Sequence, residues 1–299
     1  MTLKQTTLRF GAALIGATLG LGSAAMAQQA TITPETQTSI DVAQGFYRDT
    51  LVYRNLNNFG RYVGDTYIQH APAYGDGPGQ LIGAVSAELT NDPSVKIRLH
   101  RTMAEGPYVA IHSVWSAGGE DYVYVDIWRV ENGKLVEHWD HKQTALKEPA
   151  NTNTMFNGPD ANIYSKQDVE QNRSRALAVL ASFDNPADLT AVNDFVAEDM
   201  IQHNPWVVDG RGGLAGYLTE LATAGTKLQT TIAKTIAMGD MVLVHSRQID
   251  LGKDGDFGTG YIDIFRFNDA GQIAEHWDIS EAVPEISNNK NDIFGYPAK

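Results

Sequence analysis

Between Asn172 and Phe183, in "NRSRALAVLASF", apolar residues return every third or fourth position, and "DLTAVNDFVA" from Asp188 repeats that spacing. Both stretches predict amphipathic helices, with Asp188 placed to cap the second. After a glycine-rich turn, "GLAGYLTELATAG" predicts a third helix that ends near Gly225. The pattern then changes. "QTTIAKTIAMG", "MVLVHSRQID", "TGYIDIFRF" and "QIAEHWDIS" are rich in β-branched and aromatic residues and separated by turn residues. They predict four or so antiparallel strands, the last two joined in a short hairpin. Three helices followed by such a sheet make an α+β unit.

The same pattern stands earlier in the chain. "TYIQHAPAYGDGPGQLIGAV" from Thr66 matches "DMIQHNPWVVDGRGGLAGYL" from Asp199: His70 with His203, Pro72 with Pro205, Gly79 with Gly212, Leu81 with Leu214 and Gly83 with Gly216, all at a shift of 133. His112 and His245 keep that shift; Asp126 and Asp263 correspond at 137, and His138 with His276 and Asp140 with Asp278 at 138. The added residues fall in "DLGKDGDFGTG" and "NDAGQ", turn sequences in which hairpins tolerate extra length. "NTNTMF" and "NKNDIF" close the two copies with matching asparagine-rich tails. The chain is therefore read as two domains, 33–157 and 159–297, preceded by a leader.

That leader changes the expected address. Lys4 and Arg9 precede a run of small and apolar residues from Phe10 to Met26, and Ala25-Met26-Ala27 reads as a cleavage site before Gln28. Residues 1–27 are thus expected to be a secretory signal and the product periplasmic or secreted. With no cysteine in 299 residues, stability rests on the apolar cores rather than on disulfides. The formal net charge is −13, and removal of Lys4 and Arg9 makes the remainder more acidic. No basic patch offsets this, so neither nucleic acid nor a membrane surface is an expected partner.

The motifs "YIQHAP" and "MIQHNP", the glycine-rich segment after each, "DIWRVENGKLVEHWD" with "DIFRFNDAGQIAEHWD", and the "NTNTMF" tail resemble the SnoaL-like polyketide cyclase family of the nuclear transport factor 2 superfamily. The resemblance covers nearly the whole chain after the leader. It implies two tandem cone-shaped α+β domains, each a curved antiparallel sheet packed against three helices around a deep pocket, and an internal pseudo-dimer of the repeats. It also implies cofactor-independent aldol chemistry, with a His and an Asp as acid/base groups on an enolate.

Strand alternation selects the residues that would do this. His112 shares a face with Ala110 and Val114, Asp126 with Tyr124 and Trp128, and His138 with Asp140; Glu137 and Trp139 face the other way. If the polar faces line the cavity, Asp126, His112 and Asp140, with Asp263, His245 and Asp278 in the second copy, are the candidate catalytic groups. Asp126 and Asp263 would be bases and His112 and His245 their partners. His70, His203, Trp128, His138 and His276 are candidate ligand contacts, the first two at the pocket mouth or capping a helix end. Three histidines and an aspartate per copy also admit a metal site, but no H-x-H or H-x-x-x-H spacing occurs. The expectation is that His70, His112 and His138 are spread from mouth to floor and that no metal or organic cofactor is required. The functional expectation is an exported acid/base enzyme, an aldol-type cyclase or isomerase, acting on a small apolar carbonyl compound. The alternative is a periplasmic module that binds a small molecule without changing it. No serine nucleophile elbow, phosphate-binding loop or dinucleotide fingerprint is present.

Overall fold

A computed structural model describes residues 32–297; the expected leader, 1–27, lies outside the described residues. Helix α1 (Pro34–Gly45) opens at Thr33, whose hydroxyl accepts the Thr36 N–H at 3.1 Å, with Pro34 in the first turn. It widens into a π-type segment, Phe46–Val52, and the short α2 (Phe59–Tyr62) runs directly into β1 (Val63–Gln69). Next come α3 (Pro78–Asn91), β2 (Lys96–Glu105), β3 (Tyr108–Ala117), β4 (Glu120–Glu131) and β5 (Lys134–Thr144).

The second repeat follows the same order. It comprises α4 (Val169–Ala181), α5 (Thr190–Phe195), β6 (Val196–Gln202), α6 (Gly210–Ala224), β7 (Leu228–Met238), β8 (Met241–Asp250), β9 (Thr259–Phe267) and β10 (Ile273–Ala282). Asp168 starts α4 by accepting the Glu170 and Gln171 N–H groups at 3.0 and 3.1 Å, while Asp188 accepts the Thr190 N–H at 3.0 Å at the start of α5. Gly225, with a φ of 69°, closes α6.

Each sheet has five strands, ordered β1-β5-β4-β3-β2 and β6-β10-β9-β8-β7. Four strands are antiparallel, as expected. The fifth adds to the sequence reading: β1 and β6 follow the second helix of each repeat, β6 taking over Val196 and Ala197 from the expected helix, and they pair in parallel with β5 and β10. In β6 only Val196, Ala197, Met200 and Gln202 are buried. This short stretch carries no strong period-2 signal, and its hydrogen bonds go to a strand some 75 residues away in sequence.

One face of each sheet packs on its own helices. The other faces pack on each other: Met103, Val125, Ile127 and Trp139 of the first repeat share a single buried cluster with Ile236, Leu243, Ile264 and Trp277 of the second. Because both faces are covered, the inner strands read as nearly unbroken apolar runs. The two repeats thus form an internal pseudo-dimer, sheet against sheet. Gly158 joins them with a φ of 118°, and a Cβ there would meet the Trp277 ring at 2.5 Å and Glu275 Oε1 at 2.7 Å.

The asparagine tails cross over. Asn151 Nδ2 donates to the Asn204 and Val207 carbonyls, and Asn153 Nδ2 to the Gln202 carbonyl, all in the second repeat. Asn289 Nδ2 reciprocally donates to the Ala71 and Tyr74 carbonyls and Asn291 Nδ2 to that of Gln69. Each tail therefore staples the opposite repeat. Among the described residues no helix is long and apolar enough to cross a membrane.

Candidate functional site

On the helix-covered face of the second sheet, β9 and β10 pair so that Asp263 stands opposite Asp278. His276 lies on the same face, and its Nε2 is 3.1 Å from Asp263 Oδ1. Its other nitrogen, Nδ1, is 2.9 Å from Gln202 Oε1. That Gln202 oxygen already accepts the Asn204 N–H at 2.9 Å, so it is fixed as an acceptor and His276 Nδ1 must carry a hydrogen. The Nε2–Asp263 contact then requires one more proton, held on the imidazole or on the carboxyl. Asp263 and His276 are thus a pair sharing one proton.

Burial shapes the rest. Burial alone would lower the His276 pKa, but the hydrogen bond to Asp263 and the charges of Asp278 and Asp263 outweigh it and raise it above 6.5. Burial pushes Asp278 up to about 6, helped by the Asp263 charge and opposed by His276 and by the hydrogen bond from Asn204 Nδ2, 2.6 Å long. Asp278 is therefore a carboxylate whose proton affinity matches neutral conditions.

These groups form the polar floor of a cavity of about 270 Å³. Leu180, Phe183, Leu214, Tyr217 and Trp206 supply its apolar wall, and Trp206 at the lip is 58% exposed. This composition suits a small, largely apolar molecule with one polar end.

The first repeat holds the same floor under a different roof. His138 sits 2.9 Å from Asp126 Oδ1 and 3.0 Å from Gln69 Oε1, which accepts the Ala71 N–H. Asp140 is pushed up to about 7 by burial, with the Asp126 and Glu281 charges adding to the rise. Ala71 replaces the donor that Asn204 gives Asp278, consistent with the higher value. The cavity, however, is only about 60 Å³. Tyr47, Tyr67, Tyr74 and Trp115 crowd it where the second repeat has Leu180, Met200, Val207 and Gln248. Trp128, expected as a ligand contact, lines this cavity and stacks on His138 at 5.0 Å.

The structure separates other residues that the sequence reading had joined. His112 pairs with Val125 across β3 and β4, on the face turned to the other repeat, away from Asp126. Its Nδ1 accepts from the Arg101 guanidinium, which also donates to the Phe156 and Asn157 carbonyls at 3.1 and 2.9 Å and stacks on Trp277 at 3.9 Å. Burial, then the Arg101 charge, drive the His112 pKa well below 6.5. His112 helps hold the linker between repeats, so its expected partnership with Asp126 is corrected. His245 lies on the equivalent face, 2.8 Å from Tyr296 Oη and 3.1 Å from His141 Nε2.

His70 and His203 are also turned away from the cavities, and both are buried. His70 is 2.9 Å from Glu137, 2.6 Å from the Asp292 carbonyl and stacked on Trp139; His203 is 2.9 Å from Glu275, within hydrogen-bond reach of the Thr154 carbonyl and stacked on Trp277. They clamp the exchanged tails rather than a pocket mouth. Each follows a strand, not a helix, so strand alternation turns Gln69 and Gln202 inward in their place. These glutamines and Asn204 are site residues that the sequence reading missed.

The expected spread of His70, His112 and His138 from mouth to floor is likewise not found: only His138 lines a cavity. Ligand atoms of Asp126, His138 and Asp140, and of Asp263, His276 and Asp278, do lie within 4.8 Å of one another. One imidazole with two carboxylates is a donor set that suits a divalent cation.

Just over a third of the chain is similar to each of several solved structures. TsrD from Streptomyces laurentii is 23% identical over 38% of this chain and 91% of its own, with a TM-score of 0.33. A SnoaL-like polyketide cyclase from Agrobacterium tumefaciens is 12% identical over 36% and 92%, TM-score 0.32. An NTF2-like protein of unknown function from Mesorhizobium loti is 16% identical over 37% and 95%, TM-score 0.34. No curated protein matches the chain. The model of the SnoaL-like domain matches residues 43–138 and again 178–276. Since these two matches take in more than half of the chain, one in each repeat, the protein belongs to the SnoaL-like domain family as a tandem pair.

Proposed function

We propose that the second repeat is a cofactor-independent acid/base catalyst, an aldol-type cyclase or isomerase acting on a small apolar carbonyl compound. The observation that carries this reading is the meeting of Asp278 with the proton-sharing Asp263–His276 pair on the floor of an open, largely apolar cavity. Asp278, with a pKa of about 6, takes a proton from the carbon next to the carbonyl. The C–H electrons move into the carbon–carbon bond and the carbonyl π electrons onto oxygen, which receives the shared proton of the Asp263–His276 pair. The resulting enol either regains a proton at another carbon, giving isomerisation, or attacks a second carbonyl of the same molecule, giving ring closure.

A module that only binds its ligand needs the cavity but not two ionisable carboxyls facing each other in it. Burying such groups is costly, and this favours the catalytic reading. The test begins with a melting-temperature screen of small carbonyl compounds. Ligands found this way should still raise the melting temperature of Asp278→Asn, while their turnover falls at least ~100-fold. Wild-type turnover in that variant removes Asp278 from the mechanism and leaves the binding module as the better reading.

Export is also proposed, from the Ala25-Met26-Ala27 sequence. Protein recovered from outside the cytoplasm should begin at Gln28; a chain that keeps Met1 and stays in the cytoplasm contradicts this.

A further inference from the structure

At the repeat shifts, Tyr47 corresponds to Leu180, Ser113 to Ser246 and Asp126 to Asp263. In the first repeat the buried Tyr47 hydroxyl donates to Asp126 Oδ2 and lies 3.1 Å from Ser113 Oγ. Burial, then the neighbouring Asp126 charge, hold the Tyr47 pKa well above 10, so the phenol stays protonated and donates. In the second repeat Leu180 offers no hydroxyl. Among the described residues nothing donates to Asp263 Oδ2, Ser246 Oγ has no hydrogen-bond partner, and both residues line the cavity of about 270 Å³.

We propose that Tyr47 is a built-in copy of the ligand that the second repeat takes from solution: a phenol, or the enol of a carbonyl compound, on a small aromatic body. Its hydroxyl donates to Asp263 Oδ2 and accepts from Ser246 Oγ, and its ring lies against Leu180, Phe183 and Tyr217. A donor reaching a buried carboxylate oxygen makes a charge-assisted bond and relieves an unpaired acceptor, so a hydroxyl is selected over an ether or a hydrocarbon of the same shape. By the same comparison the first repeat is already filled by its own side chain and takes up no second ligand. One chain therefore binds one molecule.

This inference rests on the reading of the second-repeat cavity as the ligand site, but not on turnover. A binding measurement separates the two, since binding without turnover would refute only the catalytic proposal. The probe is 4-methylphenol, the tyrosine side chain itself, titrated by calorimetry. The expected result is one site per chain, with 4-methylanisole, which has no donor, binding at least ~10-fold more weakly. Ser246→Ala should weaken 4-methylphenol several-fold, and Leu180→Tyr should abolish its binding by supplying the hydroxyl internally. Should Leu180→Tyr fail to fold, Tyr47→Ala gives the reciprocal test, since it opens the first repeat and should raise the stoichiometry from one to two. Equal affinity for the phenol and its methyl ether overturns the proposal, as does undiminished binding in a folded Leu180→Tyr or a stoichiometry unchanged by Tyr47→Ala.

Discussion

Replacing Asp278 by Asn should stabilise the protein while removing its activity. The residue is 7% exposed and its carboxyl pKa is raised by burial from an ordinary 3.8 to about 6. A carboxyl whose folded pKa is raised favours folding fully below its unfolded pKa and loses that contribution as pH rises through the folded one. Between about pH 4 and pH 6 the wild type should therefore lose about 3 kcal/mol through this group, and nothing more above that. The amide keeps an oxygen for Asn204 Nδ2 and has no charge to desolvate, so the variant escapes the loss. Urea unfolding of both proteins from pH 4 to pH 8 measures the difference directly. The gap should open from near zero at pH 4 to about 3 kcal/mol in favour of the variant at pH 8. A variant equal to or less stable than wild type at pH 8 would refute the argument that burial of this charge strains the site.

Turnover should be bell-shaped in pH. It should rise through about pH 6 as Asp278 ionises and fall at higher pH as His276, whose pKa is raised by its hydrogen bond to Asp263 and the charges of Asp278 and Asp263, loses its proton; a pH-independent kcat/KM contradicts the assignment. His112→Leu should leave turnover intact but cost about 2 kcal/mol in urea, because buried Arg101 loses an acceptor, and His112→Asn should recover part of the loss. We also propose that no metal is needed: dialysis against a chelator should change neither melting temperature nor turnover, whereas stoichiometric zinc or iron lost together with activity would make the Asp263, His276 and Asp278 set a metal site.

Much of the fold was written in the pattern of residues, because a duplicated sequence shows its unit twice and its insertions mark the turns. The placement of His112 was legible in principle. A two-residue Gly118-Gly119 turn pairs Ala117 with Glu120, which fixes His112 opposite Val125 and Ile111 opposite Asp126. His112 and Asp126 are then on opposite faces. The next hairpin was not legible in this way. The Asn132-Gly133 turn pairs Glu131 with Lys134, and continued unbroken that register would set Asp126 opposite Trp139. A bulge near Val136 shifts the register by one residue, so Asp126 faces Asp140 and Trp128 faces His138. The second repeat does the same near Ala274. The site exists because of two bulges that no local propensity announces.

The inward turn of Gln69 and Gln202 was hidden for a related reason: β1 and β6 owe their strand conformation to parallel partners distant in sequence. The crossing of the asparagine tails also depends on how the repeats pack, which a comparison of the repeats with each other does not reveal.

The most direct measurement of the central claim is exchange of the α-hydrogens of 2-tetralone, an aromatic ketone with acidic C–H bonds, followed by NMR in heavy water. The wild type should exchange them well above the buffer rate, and Asp278→Asn, folded and stable, should do so at least ~100-fold more slowly. No exchange above buffer by the wild type, or exchange at the wild-type rate in the variant, would contradict the account.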